Sequence, residues 1–288
     1  MNRAGPPAKR PSRFPLGLDK LQARAPGAAA GPSSSDATLR PQRPLHEAHA
    51  AARDASRQGA ASGIGLDSAA VRARMVQRLC AAGLRCEPVI AAFGAVPRHA
   101  FVDTALVAQA YEDTSLPIGL GQTISKPSVV SRMLALLFEA EAARERAGLG
   151  SVLEIGTGCG YQTALLARLG TRVVSIERLR ALHDKARGHL ARHPAPAGQG
   201  ADLRLLHGDG RLGHPPGAPY DAIVAAAGGD DLPNAWLEQL AVGGRLVAPM
   251  FDAASGGQAL LVVDRSAAGY TRRIHEGVHF VPLKSGVG

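Results

Sequence analysis

Aromatic residues, cysteines and long apolar runs are all scarce in this 288-residue chain. Phe, Trp and Tyr make up only 4% of it, so a core has to be built mainly from Ala, Val, Leu and Ile. No apolar run reaches the roughly 18 residues of a membrane-spanning helix, which argues against a membrane protein. The three cysteines lack paired spacing, which argues against a zinc site or disulfide framework and favours free thiols in the cytoplasm.

The formal charge of +9 first suggests an anionic partner, but its distribution weakens that idea. Residues 1–66 contain ten Lys and Arg against four Asp and Glu, so most of the excess lies there. This basic segment is rich in Pro, Ala and Ser and has no apolar periodicity, which predicts a disordered extension. We favour a dispensable extension over a basic binding arm or an organelle transit peptide. We therefore expect no stable nucleic-acid partner and no membrane association.

Order is predicted from residue 67 onward, beginning with helices in residues 67–147. Apolar residues at helical spacing predict helices that start at Asp67 or Ser68, at Pro88 and at Pro127. The last of them is expected to continue to about Ala147. Residues 116–122 are rich in glycine and have no apolar period, which predicts a loop.

From residue 151 onward, short apolar strands alternate with helices, which predicts a parallel, doubly wound sheet. The expected strands are 151–156, 171–177, 202–207, 221–226 and 244–250, and the helices are 161–169, 179–192 and 233–240. Two closing segments, 259–263 and 272–281, have no helix between them and predict an antiparallel edge. The fold class is therefore α/β and Rossmann-like, with an N-terminal helical addition, a core at 148–250 and a C-terminal β segment at 251–288.

The most informative stretch is residues 152–163, where an apolar strand leads through Gly156, Gly158 and Gly160 into a helix. Glycines there let the backbone turn tightly and approach a ligand closely. Glu177 ends the next strand, where a carboxylate can accept hydrogen bonds from both hydroxyls of a ribose. The stretch therefore predicts a nucleoside-containing ligand.

The glycine loop alone fits NAD, FAD or S-adenosylmethionine, or simply a tight turn, and two features favour S-adenosylmethionine. Its GxGxG spacing differs from the dinucleotide pattern GxGxxG, and no Walker lysine follows. Glu154 can help to hold a cationic ligand indirectly but would repel a phosphate, although it can instead serve only as an acceptor for backbone amides. Asp209, after the third strand, can face an adenine edge.

Further segments resemble protein-L-isoaspartate O-methyltransferases of the bacterial type, and the similarity extends from about Val71 to Leu283. The shared segments are VPRH at 96–99, AYED at 110–113, LPIG at 116–119, GQTIS at 121–125, the glycine loop and VPL at 281–283. Generic methyltransferases share the glycine loop but not the block at 122–125, so the resemblance is specific.

The resemblance implies an enzyme that transfers a methyl group from S-adenosyl-L-methionine to the carboxylate of L-isoaspartyl and D-aspartyl residues in damaged proteins, leaving S-adenosyl-L-homocysteine. The ester then collapses to a succinimide, whose hydrolysis returns some normal aspartate. The implied substrates are isoaspartyl proteins and peptides, and we expect a monomer that uses no metal.

Ser125 matches the active-site serine of the family. The predicted cofactor contacts are Gln122, Thr123, Ile124, Glu154, Gly156, Thr157, Gly158, Gly160, Glu177, Arg178, Asp209 and Gly210. The predicted substrate contacts are Ser125, Val281, Pro282 and Leu283.

Two residues depart from the family pattern. Cys159 stands where the family commonly has Ser, and Lys126 follows Ser125 where Gln or Ala is usual. Lys126 either alters substrate selectivity or only places a charge on the surface. Without the resemblance, Ser125 is equally a residue that precedes a helix. Two alternative functions stay open: a methyltransferase of RNA or a small molecule, and a non-catalytic binding protein with the same fold.

Overall fold

The computed structural model of the protein describes residues 69–195 and 200–288. The predictions for the basic segment 1–66, and for a helix start at Asp67 or Ser68, lie outside these residues. Within the described ranges, no helix combines the length and the apolar character needed to cross a membrane.

The N-terminal part combines helices with a small hairpin. Its helices are α1 (Ala69–Ala81), α2 (Glu87–Ala95), α3 (Pro127–Phe138) and α4 (Glu141–Arg146), and its strands are β1 (Leu116–Gly119) and β2 (Gln122–Ile124). Met75 and Leu79 are buried on α1, as their helical spacing predicts. Helix α3 starts at Pro127, where a proline needs no helical hydrogen-bond donor.

The loop predicted at residues 116–122 is wrong, because this segment contains a β-hairpin. Strand β1 pairs antiparallel with β2, with Leu116 opposite Ile124. The signal for a strand is the alternation of Leu116 and Ile118, which are both buried, with exposed neighbours. The glycines that suggested a loop lie at the turn, where Gly119 and Gly121 have positive φ angles of 100° and 69°.

The helix expected from Pro127 to about Ala147 is also wrong in extent, because it ends at Phe138 and a separate helix follows. Arg245 Nη1 donates to the carbonyl of Leu136 at 2.7 Å. That carbonyl would accept from the amide of Ala140 in a continuous α-helix, and Ala140 instead has an extended backbone. A contact from a strand far along the chain thus accompanies the break.

A mixed sheet forms the centre of the described structure, with the order β5-β4-β3-β6-β7-β8-β9. Its strands are β3 (Ser151–Ile155), β4 (Arg172–Glu177), β5 (Asp202–His207), β6 (Tyr220–Ala225), β7 (Leu240–Asp252), β8 (Gly257–Ser266) and β9 (Gly269–Val278). Strands β3 to β7 are parallel, whereas β7, β8 and β9 pair antiparallel. The predicted Rossmann-like sheet with an antiparallel edge is confirmed.

The remaining helices connect the parallel strands, and alternate strand residues point to opposite faces of the sheet. These helices are α5 (Tyr161–Leu169), α6 (Arg180–Arg192) and α7 (Asn234–Gln239). Val152 packs into the cluster on one face of the sheet, and Leu153 packs into a second cluster that contains Trp236. Apolar residues therefore cover both faces, as a doubly wound sheet requires.

A buried polar cluster lies where β3 passes towards α5. The carboxylate of Glu154 is fully buried and accepts hydrogen bonds from the side chains of Gln162, Thr163 and Ser175, at 3.0, 2.5 and 2.6 Å. Burial raises the pKa of Glu154 to about 7, although these three hydrogen bonds act to lower it. The cluster ties β3 to β4 and to the first turn of α5.

The raised pKa of Glu154 gives a testable pH dependence. The folded protein binds a proton at Glu154 that the unfolded chain releases above about pH 4.5. The stability from this group is therefore complete below that pH and is lost as the pH rises through about 7. Between about pH 4.5 and about pH 7 the unfolding free energy of the wild type should fall by on the order of 3 kcal/mol because of this group. We expect this contribution to be absent in Glu154→Gln. Urea titrations at several pH values measure the unfolding free energy. An equal change of that free energy with pH in the variant and the wild type would contradict the prediction.

Candidate cofactor and active site

The direction in which strands are added to the sheet reverses between β3 and β6. The chain runs from β3 to β4 and β5 on one side and then crosses back, so that β6 pairs with the other side of β3. In open α/β sheets, ligands bind at such a switch point, outside the carboxyl ends of the strands. The glycine loop follows β3 at this place. Gly156, Gly158 and Gly160 have φ angles of 90°, 56° and 90°, a region that side chains other than glycine rarely adopt. The spacing of the glycines thus serves the turn into α5.

Glu177 connects the glycine loop to the neighbouring helix. Its Oε2 accepts from the amide of Gly158 at 2.9 Å, and its Oε1 accepts from the amide of Leu179 at 2.9 Å. Each carboxylate oxygen has a further lone pair for another donor. Glu177 is buried and yet lines a cavity, so its carboxylate can accept from ligand hydroxyls while it holds the loop.

A cavity of about 960 Å³ lies between the hairpin β1–β2, the glycine loop and the end of β4. This volume falls within the range of small-molecule sites. Most of the residues predicted for the cofactor and the substrate lie on its wall. They are Gln122, Thr123, Ile124, Ser125, Gly156, Thr157, Gly158, Glu177, Arg178, Gly210, Val281, Pro282 and Leu283.

Three predicted cofactor contacts lie away from the cavity wall. Glu154 lies behind the wall and is linked to it by Gln162, which lines the cavity and donates to Glu154. Gly160 precedes the first residue of α5. Asp209 accepts hydrogen bonds from the amides of Arg211 and Gly286, so both of its oxygens already have protein donors.

The cavity wall also contains residues that the sequence analysis does not predict. The apolar ones among them include Ile118, Val130, Ile155, Tyr161, Ile176, Leu179, Ala226 and Ala227. The alternating burial in β1 could have identified Ile118. The residues that follow β3 and β4 could have been found from the rule that ligands lie at carboxyl ends of strands. No sequence signal marks Val130, because its position depends on how α3 packs.

Ser125 directly follows the second strand of the hairpin and precedes the first residue of α3 by two positions. It is half-buried, and its hydroxyl forms no hydrogen bond within the part of the chain that the structure describes. Its main-chain carbonyl accepts from Arg98 Nη2 at 2.7 Å. Asp113 accepts from the amide and the hydroxyl of Ser128, which fixes the first turn of α3. The serine hydroxyl is thus held at the cavity wall with its donor available.

The Val-Pro-Leu segment reaches the cavity through main-chain pairing with the loop after β6. The amide of Gly228 donates to the carbonyl of Val281 at 2.8 Å, and the amide of Leu283 donates to the carbonyl of Gly228 at 2.6 Å. This pairing explains how residues more than 100 positions after the glycine loop lie on the same cavity.

The two departures from the family pattern occupy different environments. Cys159 lines the cavity and is buried, and burial raises the pKa of its thiol. Its carbonyl lies 2.9 Å from His189 Nδ1, which anchors the glycine loop to α6. Lys126 is exposed at the start of α3 and does not line the cavity. The surface interpretation of Lys126 is therefore the simpler one.

Tyr111, His99 and His207 have packing or structural roles in the fold. Tyr111 is buried away from the cavity wall, and its hydroxyl lies 2.7 Å from His99 Nδ1. His207 Nε2 lies 3.1 Å from the carbonyl of Arg178. All three connect segments of the fold rather than face the cavity.

Comparison with known proteins gives consistent matches. The chain is 58% identical over 275 residues to the protein-L-isoaspartate O-methyltransferase of Methylibium petroleiphilum, covering 95% of this chain and 96% of that one. It is 56% identical over 292 residues to the protein of the same name from Leptothrix cholodnii, covering 99% and 98%.

Solved structures agree in fold. A protein-L-isoaspartate O-methyltransferase superposes with a TM-score of 0.64 at 26% identity, over 75% of this chain and 67% of that chain. A candidate protein-L-isoaspartate O-methyltransferase from Plasmodium falciparum, in complex with S-adenosyl-L-homocysteine, gives 0.62 at 22% identity, over 73% and 97%. The family of protein-L-isoaspartate(D-aspartate) O-methyltransferases matches residues 70–288, from the N-terminal helices through the hairpin and the whole sheet, and the chain belongs to this family.

Proposed function

We propose that this protein transfers a methyl group from S-adenosyl-L-methionine to the carboxylate of L-isoaspartyl, and also D-aspartyl, residues in damaged proteins. One observation carries the proposal: a single cavity is walled by the glycine loop with Glu177 on one side and by the hairpin that ends at Ser125 on the other. Family membership supports the reaction and the substrate class.

The cavity wall fits the proposed cofactor in size and in chemistry. Glu177 can accept from the ribose hydroxyls, and the positive φ of Gly156 and Gly158 lets the backbone approach the ligand closely. Residues 122–124 line the opposite wall. Glu154 contributes indirectly, because it accepts a hydrogen bond that orients Gln162 on the wall. Asp209 also acts indirectly, because its side chain caps the short turn that begins at Gly210, and Gly210 lies on the wall.

The reaction requires alignment more than proton transfer. The bound cofactor supplies a methyl group activated by the adjacent sulfonium. The attacking carboxylate is already ionised near neutral pH, since its reference pKa is about 4, and no general base is needed. The charges of nucleophile and donor cancel in the transition state, so a cavity with apolar walls favours it over a wet surface.

Ser125 is proposed to orient the attacking carboxylate by donating a hydrogen bond from its hydroxyl. The donor has no competing protein acceptor among the described residues. The bond must stay moderate, because a strong one would stabilise the bound substrate more than the transition state. Val281, Pro282 and Leu283 are proposed to contact the peptide around the damaged residue, from the adjacent wall.

The protein is further proposed to act as a monomer in the cytoplasm, without a stable nucleic-acid partner. The unpaired state of Cys80, Cys86 and Cys159 supports a reducing compartment. The division into a dispensable extension at 1–66 and an enzyme domain at 67–288 is part of the same proposal. Methylation of RNA or of a small molecule is the competing activity.

The substrate class can be tested with labelled methyl transfer to three acceptors. The acceptors are an isoaspartyl peptide, the same peptide with normal aspartate, and RNA. We expect label only in the isoaspartyl peptide, released by mild alkali because the product is an ester. Label in RNA, or equal label in both peptides, would overturn the proposed function.

Replacement of Ser125 with alanine tests its role in orienting the substrate. We expect kcat on the isoaspartyl peptide to fall about 10- to 100-fold, since a hydrogen bond to a charged group is lost. The Kd of the cofactor should stay within about twofold, measured by calorimetry. Ser255→Ala, an exposed change between β7 and β8 and away from the cavity, is the matched control and should keep wild-type kcat. Wild-type turnover of Ser125→Ala would remove Ser125 from the reaction.

Replacement of Glu177 with alanine tests the cofactor site. The loss of its charged hydrogen bonds should weaken cofactor binding by about 1–3 kcal/mol, which is roughly 5- to 150-fold in Kd. Calorimetric titration with S-adenosyl-L-homocysteine measures this directly. Glu238→Ala, an exposed change on α7, should leave the Kd unchanged. Wild-type affinity in Glu177→Ala would refute the assignment.

A further inference from the structure

Arg98 is a buried cation at the junction of the hairpin and the glycine loop. Its side chain has no solvent exposure, and no acidic side chain in residues 69–195 or 200–288 forms an ion pair with it. Burial lowers the pKa of the guanidinium. A buried charge without an ion-pair partner lowers the stability of the folded protein, which points to a functional role for Arg98.

The hydrogen bonds of Arg98 go to main-chain carbonyls on both sides of the hairpin. Nε donates to Ala110 at 2.8 Å, and Nη2 donates to Thr114 at 3.5 Å and to Ser125 at 2.7 Å. Thr114 precedes strand β1 by two residues, and Ser125 directly follows strand β2. One side chain therefore joins the two ends of the hairpin and restrains the residue that carries the proposed substrate donor.

The same guanidinium also contacts the cofactor side of the cavity. Its Cζ lies 5.0 Å from the centroid of the Tyr161 ring, a distance at which a cation is attracted to the aromatic face. Tyr161 is buried, lines the cavity and directly follows Gly160. Arg98 thus bridges the wall that holds Ser125 and the wall formed by the glycine loop.

We propose that Arg98 is a positioning residue for methyl transfer, which sets the Ser125 hydroxyl relative to the cofactor loop. The inference rests on the proposed function and on the role of Ser125 in it. Displacement of a reacting group by about 1 Å can cost about 100-fold in rate, so a rigid bridge between the two walls matters for turnover. Arg98 itself does not line the cavity.

Arg98→Lys is the first test, because lysine keeps the charge but cannot present a planar fork to separate carbonyls while it stacks on a ring. We expect kcat on the isoaspartyl peptide to fall about 10- to 100-fold, with a Kd for S-adenosyl-L-homocysteine within about threefold of wild type. Arg245→Lys is the matched control, since Arg245 is also buried and donates to a carbonyl but lies away from the cavity. It should lose stability and keep kcat.

A double-mutant cycle separates positioning from a structural role. If Arg98 acts through Ser125, the loss caused by Arg98→Lys should shrink to less than about threefold in the Ser125→Ala background. An equal loss in both backgrounds, or no loss in either, would overturn the inference. Failure of the proposed function would appear as a wild type that is inactive on the isoaspartyl peptide. Failure of the positioning role alone would appear with an active wild type, so the two are distinguishable.

A second variant leaves Arg98 in place and weakens its acceptor. Lactic acid at position 126 converts the amide after Ser125 into an ester, whose carbonyl is a poorer acceptor. The Lys126 amide donates no hydrogen bond within the described residues, so nothing else is lost. Compared with Lys126→Ala, we expect kcat to fall about threefold or more. Equal kcat in the ester and in Lys126→Ala would contradict the role of this contact even where Arg98→Lys fails to fold.

Discussion

The carboxylate of Glu177 holds together the parts of the site that face the cofactor. It accepts the amide of Gly158 from the glycine loop and the amide of Leu179 at the start of α6, and it still lines the cavity. Because β3 and β4 are adjacent and parallel, their carboxyl ends bring the loop and this carboxylate to one edge. The loop conformation and the cavity wall therefore depend on the same group, which is also the proposed acceptor for the ribose hydroxyls.

The site has two walls that come from distant parts of the chain, and buried polar groups connect them. Glu154 fixes the junction of β3, β4 and α5 from below, through three side-chain donors. Arg98 connects the hairpin to Tyr161 from the side. The Val-Pro-Leu segment completes the wall by pairing with Gly228. A reaction that depends on alignment of two charged groups benefits from such rigid connections.

Patterns of short period predicted much of this structure, and contacts between distant residues explain the rest. The order of strands and helices from Ser151 to Val278 follows from alternation of apolar runs, and the glycine spacing with Glu177 predicts the sheet edge at which the cavity lies. The hairpin was missed because the glycines of its turn outweighed the alternation of Leu116 and Ile118. The break before α4 involves Arg245, which is about 100 residues away, and no local pattern encodes it.

We propose that the cofactor lies across the glycine loop with its reactive end towards Ser125. A crystal structure with S-adenosyl-L-homocysteine tests this most directly. We expect the ribose hydroxyls to be hydrogen-bonded to Glu177 and the sulfur to face the wall formed by the hairpin. A ligand bound elsewhere, or a cavity closed by the hairpin in the complex, would contradict it.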